Sequence, residues 1–129
     1  MSTLRCTNLQ DTSGGNSLTT AQIYNGAAKA WVKFAASSGT PSISAQFNVS
    51  SITDNGVGDF TVNFTTAMVD ANYTCIGSWA NPLYLDYAVN FFDQPTGSYV
   101  APLASSFRAT YYGQSGYRDP VAVMTAVFR

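Results

Sequence analysis

Residues Gln46 to Asp70, QFNVSSITDNGVGDFTVNFTTAMVD, alternate between apolar and polar character on either side of a turn. Phe47 and Val49 lead into Ser50-Ser51-Ile52, and Phe60, Val62 and Phe64 are spaced by Thr61 and Asn63. A period of two puts one set of side chains on each face of a strand, so one face is built for a core and the other for water. Between the two segments, Asp54-Asn55-Gly56-Val57-Gly58 supplies residues that tolerate positive φ. The stretch predicts a β-hairpin whose loop is longer than two residues.

The remainder follows the same period. Ala30, Val32 and Phe34 alternate with Trp31 and Lys33, and Ile43, Ala45, Phe47 and Val49 predict one strand running into the hairpin. Tyr73–Trp79, Tyr84–Phe92, Ser105–Tyr112 and Val121–Phe128 complete a set of seven, separated by turn signals such as Asn81-Pro82 and Asp93-Gln94-Pro95-Thr96-Gly97. The expectation is an all-β domain over residues 28–129, an antiparallel β-sandwich or small jelly-roll-like barrel. Val121–Phe128 is apolar on both faces, which predicts cover on both sides, within the fold or from another subunit.

Residues 1–27 form a polar arm. The first seventeen are expected to be irregular, because Gly14-Gly15 disrupts regular structure and Leu4 and Leu9 are too few to hold a core. Such an arm is either a disordered tail or a segment that orders on a neighbouring surface. One short helix is expected before Gly26, capped by Ser17 or Thr19.

Composition narrows the function. The chain of 129 residues suits one domain, and only 10% of its residues are charged, well under the usual quarter. So little charge favours permanent assembly over a free monomer. A net charge of −1 with no basic run argues against nucleic acid. The seven acids are all Asp and there is no His, which removes His-based triads and the usual zinc sets. No enzyme, cofactor or metal is expected. Asp54, Asn55 and Asp59 could offer oxygens to calcium, but Asp-Asn-Gly is ordinary turn chemistry. No apolar run is long enough to span a membrane, and the polar start MSTLRCTNLQ leads us to expect no signal peptide, synthesis in a cytoplasm and reduced Cys6 and Cys75.

Two aromatic clusters are the candidate contact sites. Trp79, Tyr84 and Tyr87 surround Asp86, while Tyr111, Tyr112, Tyr117 and Arg118 surround Gly113-Gln114-Ser115-Gly116. Aromatic faces beside Asp, Asn and Gln can stack on sugar rings and bond their hydroxyls. Packing in a subunit interface is the competing and favoured explanation, since Tyr, Trp and Arg are enriched there.

Three motifs also carry a resemblance: DTSGGNS at Asp11–Ser17, AQIYNGAAKAWVKF at Ala21–Phe34, and FNVSSITDNGVGDFTVNFTTAMVDANY at Phe47–Tyr73. Together they resemble small virion proteins of tailed bacteriophages, marine and cyanobacterial ones especially, of the tail fibre family. The resemblance covers residues 11–73, with a departure in the loop after Phe34. It implies a non-enzymatic virion protein, assembled in the host cytoplasm: a homotrimeric tail fibre or tail-associated module that contacts other virion proteins and a host surface glycan or protein. A capsid decoration or head fibre protein is the first alternative, and a small carbohydrate-active enzyme the second.

Overall fold

The computed structural model describes residues 5–37, 39–80, 87–113 and 116–129, the side chains of Tyr87 and Ala88 excepted. It is an antiparallel β-sandwich preceded by an arm. The arm consists of β1 (Asn8–Gln10), β2 (Ser17–Thr19) and α1 (Thr20–Gly26). The domain comprises β3 (Ala30–Ala35), β4 (Ser42–Phe47), β5 (Val49–Gly56), β6 (Asp59–Phe64), β7 (Thr74–Ala80), β8 (Tyr87–Phe91), β9 (Ser106–Gly113), β10 (Gly116–Tyr117) and β11 (Ala122–Phe128). One sheet runs β4-β3-β11-β7. The other runs β10-β9-β6-β5, with β8 also pairing with β9.

The inner faces carry the alternation expected of them. Ala30, Val32 and Phe34 from β3, Phe60, Val62 and Phe64 from β6, Phe107, Ala109 and Tyr111 from β9, and Val123 and Val127 from β11 are all buried. Aromatic rings join the two sheets. The Phe34 ring meets those of Phe60 and Tyr111 at 5.7 and 6.2 Å, and Trp79 meets Tyr111 at 6.0 Å. A second group sets Phe64, Tyr73, Phe91 and Phe92 around Phe107. Edge-on packing of this kind adds stability beyond the area it buries.

Three local expectations are corrected. The strand predicted through Ile43–Val49 is two strands in different sheets, because Asn48 adopts φ 54° and turns the chain between them. The Asn48 side chain clamps that corner: its amide donates to the Lys29 and Thr66 carbonyls at 3.1 Å, and its oxygen accepts from Thr66 N–H at 2.8 Å. Asn tolerates this backbone better than other side chains do. Phe47 is consequently exposed while Val49 is buried. The hairpin loop is also shorter than expected. Pairing continues to Gly56 opposite Asp59, with a bulge after Asp54, leaving only Val57 and Gly58 to turn. Gly58 has φ 67°, and a Cβ there would lie 2.6 Å from Arg118 N. Only glycine fits.

The third correction concerns the arm, where residues expected to be irregular pair as a hairpin. Asp11 organises its turn, accepting from Ser13 Oγ at 3.0 Å, Gly15 N–H at 3.0 Å and Asn16 Nδ2 at 2.8 Å. These bonds hold its carboxyl below the usual range, and Gly14 takes the left-handed position. Helix α1 begins with a capping box in which Thr19 and Gln22 exchange bonds. Yet every described residue from 5 to 26 is exposed. Regular structure here arises from local bonds, without a core.

Candidate functional site

The outer face of the four-stranded sheet is apolar. Register aligns Phe47, Trp31, Ala126 and Ile76 in one cross-strand row, and Ala45, Lys33, Met124 and Ser78 in the next. Trp31, Phe47, Ile76 and Met124 are all exposed there, and Trp31, Ile76 and Met124 line a shallow groove of about 650 Å³. Lys33 is the one charge in these rows. The expected double cover of β11 is therefore half met within the chain: Val123, Thr125 and Val127 are buried, while Met124 faces outward.

The outer face of the other sheet is polar and internally bonded. Asn63 Nδ2 donates to Ser51 Oγ at 3.1 Å and Thr53 Oγ1 at 2.9 Å, and Asn55 Nδ2 donates to Thr61 Oγ1 at 2.9 Å. Asp59, only 2% exposed, lies on this face beneath Arg108. Arg108 Nε donates to Asp59 Oδ1 at 2.7 Å, Nη2 donates to Oδ2, and Nη1 reaches Gln94 Oε1 at 3.1 Å. The Asp59 carboxylate raises the guanidinium above its ordinary value. A fork of this geometry fixes direction as well as charge. The calcium reading of this loop has no support from these contacts. Asp59 is spent on Arg108 and Asp54 caps Gly56 N–H at 2.8 Å. Among the described residues no group of three acids or thiols could hold a metal.

The candidate contact residues divide. Trp79 and Tyr111 are core side chains, because both point inward along their strands and pack on each other. They are not available to a ligand in this chain. Tyr112, one position on from Tyr111, is exposed and stacks edge-on with Tyr117 at 5.2 Å, near half-buried Arg118. Tyr84 and Asp86 lie outside the described residues, as does the side chain of Tyr87. Of the first cluster only the Trp79 side chain is described, and the second keeps Tyr112, Tyr117 and Arg118 near the surface. Sequence reasoning missed Tyr99, which is 74% exposed beside Asp93 and Asn90. Its signal was an aromatic residue two positions after the Gln94-Pro95-Thr96-Gly97 turn.

The thiols are separate. Cys6 is exposed and Cys75 half-buried, both free, and burial pushes the Cys75 thiol up to about 12. An aromatic disulfide reagent at pH 8 is expected to label one thiol in the native protein and the second only after denaturation. Two rapidly labelled thiols would contradict the half-buried position of Cys75.

No helix among the described residues is long and apolar enough to cross a membrane. Comparison with family models, curated proteins and solved structures found no match for this chain.

Proposed function

We propose that this chain is a non-enzymatic structural module of a bacteriophage virion, a homotrimeric tail fibre or tail-associated protein whose loops contact the host surface. The observation that carries the reading is the exposed apolar sheet face together with an arm of hairpin and helix that buries nothing. Both are surfaces awaiting a partner. The resemblance over residues 11–73 supplies the virion context.

A second copy of this chain is the occupant we assign to the face. Strand spacing and rise make the face about 15 by 20 Å, roughly 300 Å². A stable interface needs roughly 800 Å² per partner. The neighbour's arm supplies the shortfall, since Leu9 faces Leu18 across its hairpin and Ile23 and Tyr24 lie exposed beside them. The low charge of the chain removes the repulsion that would keep copies apart.

Light scattering on the purified chain tests the assembly, with the mass of three chains expected. Trp31→Lys combined with Ile76→Lys places two ammonium groups on the face and should yield a folded monomer, seen as one-third of the mass with an unchanged circular dichroism spectrum. A wild-type monomer at high concentration would overturn the assembly. Cryo-electron microscopy of the virion tests location: density on the tail supports the reading, and density confined to the capsid replaces it with a decoration protein.

A further inference from the structure

The segment between β8 and β9 is tied down by backbone bonds and ring contacts. Asp93 and Tyr99 pair in an antiparallel bridge, Val100 N–H donates to the Phe92 carbonyl at 2.7 Å, and Gly97 N–H closes the turn on the Gln94 carbonyl at 2.9 Å. Phe92 holds a left-handed φ of 63°, an unfavourable conformation for a bulky side chain. It is kept there by its ring, packed against Tyr73 and Phe107, and by its N–H, bonded to the Arg108 carbonyl at 2.8 Å. Beneath the turn, Arg108 ties Gln94 to buried Asp59. A buried ion pair therefore anchors a surface hairpin.

That hairpin presents a shallow groove of about 550 Å³ with Asn90, Asp93 and Tyr99 among its walls. The Tyr99 ring is largely bare. Its apolar face suits the axial C–H groups of a pyranose, and its hydroxyl adds a polar handle. Asn90 offers both a donor and an acceptor. Asp93 Oδ1 accepts from Gln94 N–H at 2.8 Å, and its carboxylate has further lone pairs for sugar hydroxyls. The charge balance selects among sugars. Asp93 is the one charged residue among the described lining of the groove, and the Arg108 fork is committed to Asp59 and Gln94, so Asp93 sets the sign of the groove. An acidic sugar would be repelled.

We propose that this groove binds one neutral pyranose, stacked on Tyr99 and hydrogen-bonded through Asn90 and Asp93. The inference deepens the surface-contact part of the proposed function and rests on it only for biological meaning. The groove belongs to the sheet opposite the apolar face, so self-assembly leaves it open and repeats it in every copy. Weak single-site binding would then be multiplied by copies displayed together.

Saturation-transfer NMR on the intact chain, with lactose, maltose, cellobiose, chitobiose and mannobiose at about 10 mM and 3′-sialyllactose as the acidic control, tests it in the weak-binding range. Transfer to the ring protons of at least one neutral disaccharide is expected. Transfer to the sialic acid ring of the control is not. Tyr99→Ala should abolish the signal with an unchanged melting temperature, while Tyr112→Ala should leave it intact. No transfer from any neutral sugar, or transfer that survives Tyr99→Ala, would overturn the site. Because oligomer mass and virion location are measured separately, failure here leaves the structural reading standing.

Discussion

Replacing Asp59 with alanine should lower the melting temperature by about 10 °C, the largest effect expected outside the hydrophobic core. Removing one partner of a buried pair costs about 3–5 kcal/mol, because the other charge is left without compensation. Arg108 keeps a quarter of its side chain in water, which reduces that figure to roughly 2–4 kcal/mol. At about 4 °C per kcal/mol for a domain of this size, the midpoint falls by about 10 °C. Scanning calorimetry on the variant provides the check. The double variant Asp59→Leu with Arg108→Met should recover much of the loss, since no orphan charge remains. A shift below about 3 °C for Asp59→Ala would mean that water already solvates the guanidinium.

Tyr111 should give opposite results with two substitutions. Its ring is fully buried between the sheets, in contact with Phe34, Phe60 and Trp79. Tyr111→Ala removes that ring and leaves a cavity, at about 3–5 kcal/mol. The hydroxyl is different. It has no hydrogen-bond partner among the described residues, and burial raises its pKa above the ordinary tyrosine value. An unsatisfied buried hydroxyl costs about 1–3 kcal/mol, so Tyr111→Phe should stabilise the fold by about 1 kcal/mol. Urea titration separates the outcomes, the midpoint falling for one variant and rising for the other. If Tyr111→Phe also destabilises, the hydroxyl is satisfied in solution.

The period of two made most of the sandwich legible. Val32, Phe34, Phe60, Val62 and Phe64 were placed on inner faces by spacing alone, and all are buried, whereas in Val121–Phe128, apolar on both faces, spacing did not tell that Val123 and Val127 point inward. The corner at Asn48 was hidden because Phe47-Asn48-Val49 preserves the alternation through the turn, while the turn itself depends on bonds to Lys29 and Thr66. The arm hairpin was hidden for the opposite reason. It has almost no apolar content to read, and a single carboxylate, Asp11, holds its turn. Contact residues were the least legible. Grouping aromatics by nearness in sequence put Tyr111 and Tyr112 together, although neighbours on a strand point to opposite faces. The Asp59–Arg108 pair joins residues 49 apart, which no local pattern displays.

The position of β11 has a consequence for biosynthesis. It lies between β3 and β7, pairing with Ala30–Phe34 on one side and Thr74–Ala80 on the other, although it follows both in the chain. The four-stranded sheet therefore cannot close until residue 128 has left the ribosome. Before that, β3 and β7 each offer an unpaired edge, and the apolar row around Trp31 and Ile76 is interrupted at its centre. Open edges of this kind invite pairing between nascent chains. Slow translation, or premature termination before residue 122, should drive the product into inclusion bodies, and the yield of soluble protein will be governed by how quickly that last central strand arrives.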